Sequence, residues 1–202
     1  MKIVLLDDHT LFGTSLQNVL LGNDHIEKFY FVQTLSELYN ALDCGVDFLL
    51  LLDINLNKIG VEDSFYLARE LILKYKGLKL AFLSGYDRPM YRKKAILIGA
   101  KGFFSKEMSV EELVSGLLTI EKGGNVFRSE DRTYQEDITD TEILILEKAA
   151  SGLSRNEIAR DLNIRNRTVG THLTNIFQKL EVKNITEAVS VALEEGYIPP
   201  IY

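Results

Sequence analysis

The chain contains 202 residues, of which 46% are hydrophobic and 26% are charged, and its formal net charge at pH 7 is −6. This length allows one or two domains, and the acidic balance excludes a uniformly basic nucleic-acid-binding protein while leaving room for a locally basic face. No apolar run approaches the roughly 18 residues that a membrane span requires. The start of the chain, MKIVLLDDH, reaches two acids too early for a signal peptide. We therefore expect a folded cytoplasmic protein.

The first part of the chain alternates between apolar strands and helices. The predicted strands are residues 2–6, 28–32, 48–52, 78–83 and 101–105. The first helix is indicated by apolar side chains at helical spacing, Leu11, Phe12, Leu16, Val19 and Leu20. Two further helices begin at capping boxes, Thr34/Glu37 and Ser109/Glu112, and two more are predicted over residues 62–75 and 87–98. Five strand–helix units in strict alternation predict an α/β doubly wound five-stranded parallel sheet, because parallel strands need helical crossovers of one hand.

The character of the sequence changes after the fifth helix. Gly123 and Gly124 are followed by the polar stretch SEDRTYQED, which has no apolar period and indicates a linker. We therefore predict a first domain over residues 1–122, a linker over residues 123–136 and a second domain over residues 137–202.

Only helical signals follow the predicted linker, so the second domain is predicted to be all-α. Its capping boxes are Thr139/Glu142 and Ser154/Glu157, with a third candidate at Asn184/Glu187. The helix over residues 154–162 is too short to be stable alone, and a turn around Asn163 and Ile164 separates it from a longer helix that ends near Leu180. This order of short helix, turn and longer helix is typical of a helix-turn-helix.

Acidic residues follow two strands of the predicted sheet. Asp7 and Asp8 end the first strand, and Asp53 ends the third, whose unbroken apolar run FLLLL is typical of a strand buried on both faces. These strands are neighbours in a doubly wound sheet, so the three carboxylates are expected to converge at the edge where ligands bind. Like charges this close need a cation, and Mg²⁺ suits oxygen ligands. Taken alone, Asp53 is equally well explained as the cap of the next helix.

A hydroxyl and an ammonium group complete the same edge of the sheet. Ser84 ends the fourth strand, and Lys106 follows the fifth. A carboxylate nucleophile, a metal that neutralises phosphoryl oxygens, a lysine and a hydroxyl are the components that phosphoryl transfer to an aspartate requires. Each residue alone has a structural alternative as a loop acid, a helix cap or a solvated charge. The occurrence of all five at successive strand ends favours the functional interpretation.

With these motifs, residues 1–121 resemble the receiver domains of two-component response regulators, which have a flavodoxin-like fold. The resemblance implies that Asp53 is the phosphoacceptor. It also implies that Asp8 binds Mg²⁺ directly, that Asp7 binds it through water, and that the carbonyl group of Asn55 is a further ligand.

Three other residues match switch positions of the receiver family. Ser84 and Lys106 correspond to the family's switch hydroxyl and its invariant lysine, and Phe103 occupies the place of its rotating aromatic side chain. The loop after the acceptor departs from the family pattern, because Asn57 stands where many receivers have proline and Gly60 lies one residue earlier than the usual glycine.

The helical domain, residues 138–198, resembles the LuxR-type helix-turn-helix that follows receivers in the NarL/FixJ class of regulators. The segments ITDTE, GLSRNEIARDLNI, TV and EAV and the residue His172 carry this resemblance, which implies binding to double-stranded promoter DNA. From residue 155 to residue 183, six basic residues stand against three acidic ones. Alone, such a run indicates only a solvated face, but on a helix-turn-helix it predicts a DNA-binding surface. The candidate DNA-contacting residues are Arg165, Asn166, Arg167, Thr168, Gly170, Thr171, Thr174 and Lys179.

Gly170 is the clearest departure from the LuxR-type pattern, which commonly has lysine there. A glycine contacts neither a phosphate nor a base edge, so base reading is expected from Thr171 and Thr174. Phosphate anchoring is expected from the basic residues of the same region, Arg165, Arg167 and Lys179. On this interpretation, a lysine at position 170 adds a phosphate contact.

Together these features predict a DNA-binding response regulator in which a histidine kinase phosphorylates Asp53 and thereby controls DNA binding and transcription. Coupling of this kind requires a two-state element, and the candidate is the loop over residues 85–87 together with Phe103. We expect a homodimer on DNA. The last helix, over residues 185–194, either forms its symmetric contact or packs in the core of its own domain.

Two rival functions remain at this point. A phosphatase with an aspartyl nucleophile usually has a second aspartate two residues later, where this chain has Asn55, so we do not expect an enzyme. The other rival is a receiver whose helical domain binds only protein.

Overall fold

The computed structural model describes residues 1–44, 47–128, 131 and 138–198. The chain divides into two compact units. The first comprises Met1–Asp87 with Tyr91–Asp131, and the second comprises Arg88–Met90 with Arg132–Tyr202, of which residues 88–90 and 138–198 are described. Within the described ranges, no helix is long and apolar enough to cross a membrane.

The first unit is built on a five-stranded parallel sheet. Its strands are β1 (Lys2–Leu6), β2 (Lys28–Val32), β3 (Leu49–Leu52), β4 (Lys79–Ser84) and β5 (Gly102–Ser105). Their spatial order is β2-β1-β3-β4-β5, and every neighbouring pair is parallel, which confirms the predicted doubly wound sheet. The register aligns Leu6 with Leu52, so the chain leaves β1 and β3 side by side at the same edge.

Five helices cover the two faces of the sheet. They are α1 (Thr10–Leu20), α2 (Leu35–Asp43), α3 (Ser64–Lys74), α4 (Pro89–Leu97) and α5 (Val110–Glu121). In β3, Leu50 and Leu52 belong to the apolar core under α2, α3 and α4, whereas Leu49 and Leu51 belong to the core under α1 and α5. All four leucines are buried, which explains the unbroken apolar run of this strand.

The helix starts follow the local signals of the sequence. In the predicted capping box of α2, the Thr34 hydroxyl accepts a hydrogen bond from Glu37 N at 3.2 Å, and the Glu37 carboxylate accepts one from Thr34 N. The apolar stripe predicted for α1 is too wide, because Leu11 is 83% exposed and Val19 is 51% exposed. Only the side of the helix that faces the sheet contributes to the core.

The segment after α5 continues along the sheet. Val126 forms a parallel bridge with Gly102 at the start of β5, and Val126 N donates to the Lys101 carbonyl at 2.7 Å. Phe127 packs against the core under α4. The first part of the predicted linker is therefore bound to the first unit, while residues 129–130 and 132–136 of that prediction lie outside the described residues.

The described part of the second unit contains four helices around one apolar core. They are α6 (Asp140–Ala150), α7 (Arg155–Asp161), α8 (Asn166–Lys179) and α9 (Ile185–Glu195). Asn163 has a positive φ of 54° between α7 and α8, in the left-handed region that asparagine tolerates well. The predicted short helix, turn and long helix are thus confirmed. Val189 and Leu193 of α9 are partly buried against this core, which supports the packing alternative for that helix.

Gly116 in α5 provides a test of how closely α5 packs on β5. A Cβ atom at this position would lie 2.4 Å from Cε1 of Phe104, whose ring is 1% exposed. We expect overpacking in Gly116→Ala to lower the free energy of unfolding by about 1–3 kcal/mol. The higher helix propensity of alanine offsets up to about 1 kcal/mol of this loss. Urea denaturation measures this change. Ser115→Ala, one residue earlier on the exposed side, is the control, and equal stability of the two variants would contradict the packing model.

Candidate functional site

Three carboxylates converge at the carboxyl ends of β1 and β3. Asp7 is 0% exposed, Asp53 is 2% exposed and Asp8 is 9% exposed. The parallel ladder fixes their positions, since Asp53 N donates to the Leu6 carbonyl at 3.0 Å. The predicted convergence of the two strand ends is therefore present in the fold, and it concentrates negative charge where water has little access.

Lys106 brings a positive charge to this cluster. Its Nζ atom lies 2.7 Å from Asp7 Oδ2 and 3.0 Å from Asp53 Oδ2. The backbone places it there, because Lys106 N donates to the Ser84 carbonyl at 2.8 Å and so extends the pairing of β5 with β4. The ammonium group also lies 4.6 Å from the centre of the Phe12 ring, a cation–π distance. Lys106 is thus held against both carboxylates by the sheet and by α1.

The electrostatics of Asp53 follow from this burial. Desolvation raises the pKa of Asp53 from its ordinary value of 3.8 to about 6, the Lys106 ammonium acts in the opposite direction, and the charge on Asp7 raises the pKa further. The group is therefore mostly ionised at neutral pH, but its charge is poorly solvated. A poorly solvated carboxylate is a stronger nucleophile and binds cations more readily than one in water.

The oxygen atoms of the cluster are suited to a hard cation. Asp7 Oδ2, Asp8 Oδ1 and Asp53 Oδ2 are buried, and Lys106 Nζ is the ammonium group that contacts the first and the third of them. Potential ligand atoms of these three aspartates and of His9 all lie within 4.8 Å of one another. One ammonium group does not balance three buried carboxylates, and uncompensated buried charge is costly, so the residues present fit a divalent ion with oxygen ligands.

Two residues that the sequence interpretation did not single out also contact this cluster. His9 Nδ1 lies 2.7 Å from Asp8 Oδ1, and His9 N donates to Asp7 Oδ1 at 2.8 Å. Lys58 N donates to Asp8 Oδ2 at 3.4 Å. The only sequence signal for His9 is its position directly after the two aspartates, and Lys58 carries no signal because it approaches from a loop after β3.

A cavity of about 500 Å³ lies beside the acidic cluster, and of the predicted residues Asp53, Asn55 and Lys106 line it. Ser84 is buried at the end of β4, where its hydroxyl accepts a hydrogen bond from Tyr86 N at 3.0 Å. Phe103 is 8% exposed, and its ring centre lies 6.3 Å from that of Phe82. Its ring is therefore packed inward in this structure.

The loop after the acceptor strand forms one tight turn. Residues Asn57–Ile59 make a single 3-10 turn, Gly60 follows with a φ of 79°, and Leu56 pairs with Val61 in an antiparallel bridge. Gly60 is required at its position because this left-handed conformation is strained for other side chains. The departures from the receiver pattern at Asn57 and Gly60 thus belong to one closed loop, which delivers the Lys58 amide to Asp8.

The second unit presents most of the predicted DNA-contacting residues on one surface. Arg165, Arg167, Thr168, Thr171 and Thr174 are exposed on or next to α8. Asn166 is half-buried because its side-chain amide bonds to the Asn156 side chain of α7. This surface, which we call the α8 face, is basic at its amino-terminal end.

Lys179 does not join the α8 face. Its Nζ atom lies 2.8 Å from Oε2 of Glu142, a residue that is 2% exposed at the start of α6. The same carboxylate accepts a hydrogen bond from Thr139 N at 2.8 Å. The ion pair therefore ties α8 to α6 inside the domain, and we exclude Lys179 from the phosphate anchors because separating it would leave a buried carboxylate unpaired.

The raised pKa of Asp53 predicts a stability gain on its neutralisation. Since the folded state binds this proton more tightly than the unfolded state, the contribution of Asp53 is favourable below pH 4 and is lost as the pH rises through about 6. In metal-free buffer at pH 8, we expect Asp53→Asn to raise the free energy of unfolding by up to about 3 kcal/mol. The gain should shrink towards pH 4. Urea denaturation in excess chelator measures it, with exposed Asp24→Asn as the control, and a gain independent of pH would contradict this origin.

Comparison with known proteins agrees with the geometry of both units. Residues 136–192 match the family model "Bacterial regulatory proteins, luxR family". The chain is 36% identical over 129 residues to the transcriptional regulatory protein DesR of Bacillus subtilis, an alignment that covers 62% of this chain and 65% of DesR, less than two thirds of that protein.

A second relative and a solved structure extend the comparison over more of the chain. The uncharacterized transcriptional regulatory protein YvfU of Bacillus subtilis is 33% identical over 146 residues, covering 70% of this chain and 72% of that protein. The structure of the two-component response regulator RcsB in complex with DNA shares the fold, with a TM-score of 0.69 at 19% identity over 96% of this chain and 98% of that one. The chain therefore belongs to the luxR family of bacterial regulatory proteins, whose members similar to it are transcriptional regulatory proteins.

Proposed function

We propose that the protein is a DNA-binding transcription regulator that is controlled by phosphorylation of Asp53. The observation that carries this proposal is the cluster of Asp7, Asp8 and Asp53, with the Lys106 ammonium group in contact with Asp7 and Asp53, in a chain whose other unit is a helix-turn-helix. A buried acidic cluster with one lysine provides an acceptor and charge compensation for a phosphoryl group. The helix-turn-helix provides an output that a phosphoryl group can control.

In the proposed transfer, an Oδ atom of Asp53 attacks the phosphorus of a phosphohistidine on a partner histidine kinase. The new O–P bond forms as the P–N bond breaks, and the imidazole leaves with its electron pair. Lys106, whose Nζ lies 3.0 Å from Asp53 Oδ2, remains beside the transferred group and neutralises its oxygens. The buried Ser84 hydroxyl donates to a phosphoryl oxygen and gives up its contact with Tyr86 N.

Asp7, Asp8, Asp53 and the carbonyl group of Asn55 are the proposed ligands of Mg²⁺. The ion would supply charge neutralisation at the acceptor, which otherwise repels an incoming phosphoryl group. His9 and the Lys58 amide contact the same aspartates and keep their oxygens oriented towards the common centre.

Double-stranded promoter DNA is the proposed ligand of the α8 face. Arg165 and Arg167 would anchor phosphates near the amino terminus of α8, and the hydroxyl and methyl groups of Thr171 and Thr174 would read base edges. With few phosphate contacts per chain, tight binding requires two chains on half-sites about one helical turn apart. The function is thus proposed for a homodimer on DNA, in the cytoplasm where promoter DNA is found.

The acceptor assignment predicts a single phosphorylation site. We expect a small acyl phosphate with Mg²⁺ to add one phosphoryl group to the wild-type chain, visible by intact mass spectrometry, and none to Asp53→Asn. Excess chelator should suppress the labelling because the acceptor and donor charges then repel each other. Asp24→Asn is the matched control and should be labelled normally. Labelling that persists in Asp53→Asn would place the acceptor elsewhere.

The DNA assignment predicts a specific salt dependence. Because each neutralised phosphate contributes about 0.9 to the slope of log K against log salt concentration, we expect Arg167→Ala to flatten the slope by about 0.9 per bound chain. Binding isotherms of the full chain on a duplex obtained by site selection measure this slope. Arg69→Ala, an exposed arginine on α3 of the first unit, removes the same charge without effect. Specific binding of protein but of no DNA would instead support the rival of a protein-binding output.

A further inference from the structure

Gly170 on α8 leaves a space that a side chain of another helix fills. A Cβ atom at position 170 would lie 2.2 Å from Nη2 of Arg155 and 2.8 Å from its Cζ. The guanidinium group of Arg155, which begins α7, therefore lies directly over the backbone of α8 where any other residue would project its side chain. Gly170 is half-buried for this reason.

The Arg155 side chain is held in this position by hydrogen bonds. Its Nε atom donates to the Asn166 carbonyl at 3.1 Å, and its Nη2 atom donates to the same oxygen at 2.9 Å. These bonds use one edge of the guanidinium. In the described part of the chain, no carboxylate lies within ion-pair distance of Arg155 and no acceptor binds its Nη1 atom. The residue is exposed, so it presents an uncompensated, oriented positive charge.

This charge lies next to other groups that attract anions. Arg165 and Arg167 flank the first residue of α8, and the first turn of a helix carries partial positive charge and free backbone N–H groups. The first helix of a helix-turn-helix crosses the DNA backbone while the second enters the groove, so an arginine that reaches from α7 over the start of α8 lies where a phosphate passes.

We propose that Arg155 binds a phosphate of the DNA backbone and thereby supplies, from α7, the cation that α8 lacks at position 170. This inference rests on the proposed DNA-binding function and adds to it a residue and a reason for Gly170. The two bonds to Asn166 preorganise the guanidinium, which reduces the entropy lost on contact with DNA. A lysine at position 170 would then displace one cation to introduce another, instead of adding a phosphate contact.

The test uses the full chain and two duplexes, one obtained by site selection with the wild-type protein and one unrelated. Binding constants are measured over a series of salt concentrations. We expect Arg155→Ala to weaken binding to both duplexes by about tenfold per bound chain and to flatten the log–log salt slope by about 0.9 per chain. Arg160→Ala, which removes an exposed arginine from the same helix, is the matched control and should leave the slope unchanged.

A double-mutant cycle tests the link to Gly170. We expect Gly170→Ala to flatten the slope as Arg155→Ala does, because its methyl group displaces the guanidinium. The thermal stability of the domain should be maintained, since alanine favours a helix. In the Arg155→Ala/Gly170→Ala double variant, the second change should add nothing. Additive losses would overturn the proposed link and would indicate that Gly170 itself must approach the DNA closely.

The Arg155→Gln variant distinguishes phosphate binding by Arg155 from a purely structural role as a bridge between α7 and α8. This variant keeps a donor for the Asn166 carbonyl but removes the charge, so we expect a wild-type melting temperature with a flattened slope. Loss of stability with an unchanged slope would overturn the proposal. A loss of affinity that depends on the identity of one base pair of the selected site would also overturn it. If the wild-type chain binds neither duplex, the proposed DNA-binding function itself is overturned. If the wild-type chain binds normally and Arg155→Ala changes neither affinity nor slope, only the proposed role of Arg155 is overturned.

Discussion

Repulsion among three buried carboxylates is the constraint on which the site of the first unit depends. Asp7, Asp8 and Asp53 have little contact with water, and the raised pKa of Asp53 expresses the cost of that arrangement. The sheet must therefore hold them together against their own charge. It does so with a β3 strand buried on both faces and with a β5 strand whose register delivers Lys106 to within 3.0 Å of Asp53.

The geometry of the parallel sheet explains which parts of the site could be predicted from the sequence. In a parallel sheet, the residues that follow each strand share one edge, so strand ends alone place Asp7, Asp53, Ser84 and Lys106 near one another. Apolar runs locate those ends well, because a strand buried on both faces leaves no polar positions within it. Four predicted capping boxes close reciprocally, since a residue pair three positions apart needs only local geometry, whereas at Asn184/Glu187 the asparagine caps the helix but the glutamate accepts from Lys183 N instead.

Contacts between distant residues could not be predicted, because they depend on how elements pack. The Lys179 side chain reads as one more cation of a basic helix, but it pairs with Glu142, which lies 37 residues earlier in the chain. From the sequence, Gly170 indicates only that a DNA contact is missing, but in the structure the guanidinium group of Arg155 lies above it. Leu11 matches an apolar period but faces solvent. Apolar periodicity indicates which side of a helix is buried, but it does not indicate how wide the buried side is.

Charge also connects the acceptor edge to the segment that leads out of the first unit. Asp87 lies three residues after Ser84. Its carboxylate forms an ion pair with Arg92 of α4 and a second one, at 2.9 Å, with Nη2 of Arg128. Arg92 is 6% exposed and contacts Asp131 through Nε at 2.6 Å. A displacement of the loop after β4 must therefore either break the ion pairs of Asp87 or move Arg92 and Asp131 together, because separating the buried Arg92–Asp131 pair is costly. Arg92 thus links the loop beside Ser84 to Asp131, at the end of the first unit, through two ion pairs, of which the one to Asp131 is buried.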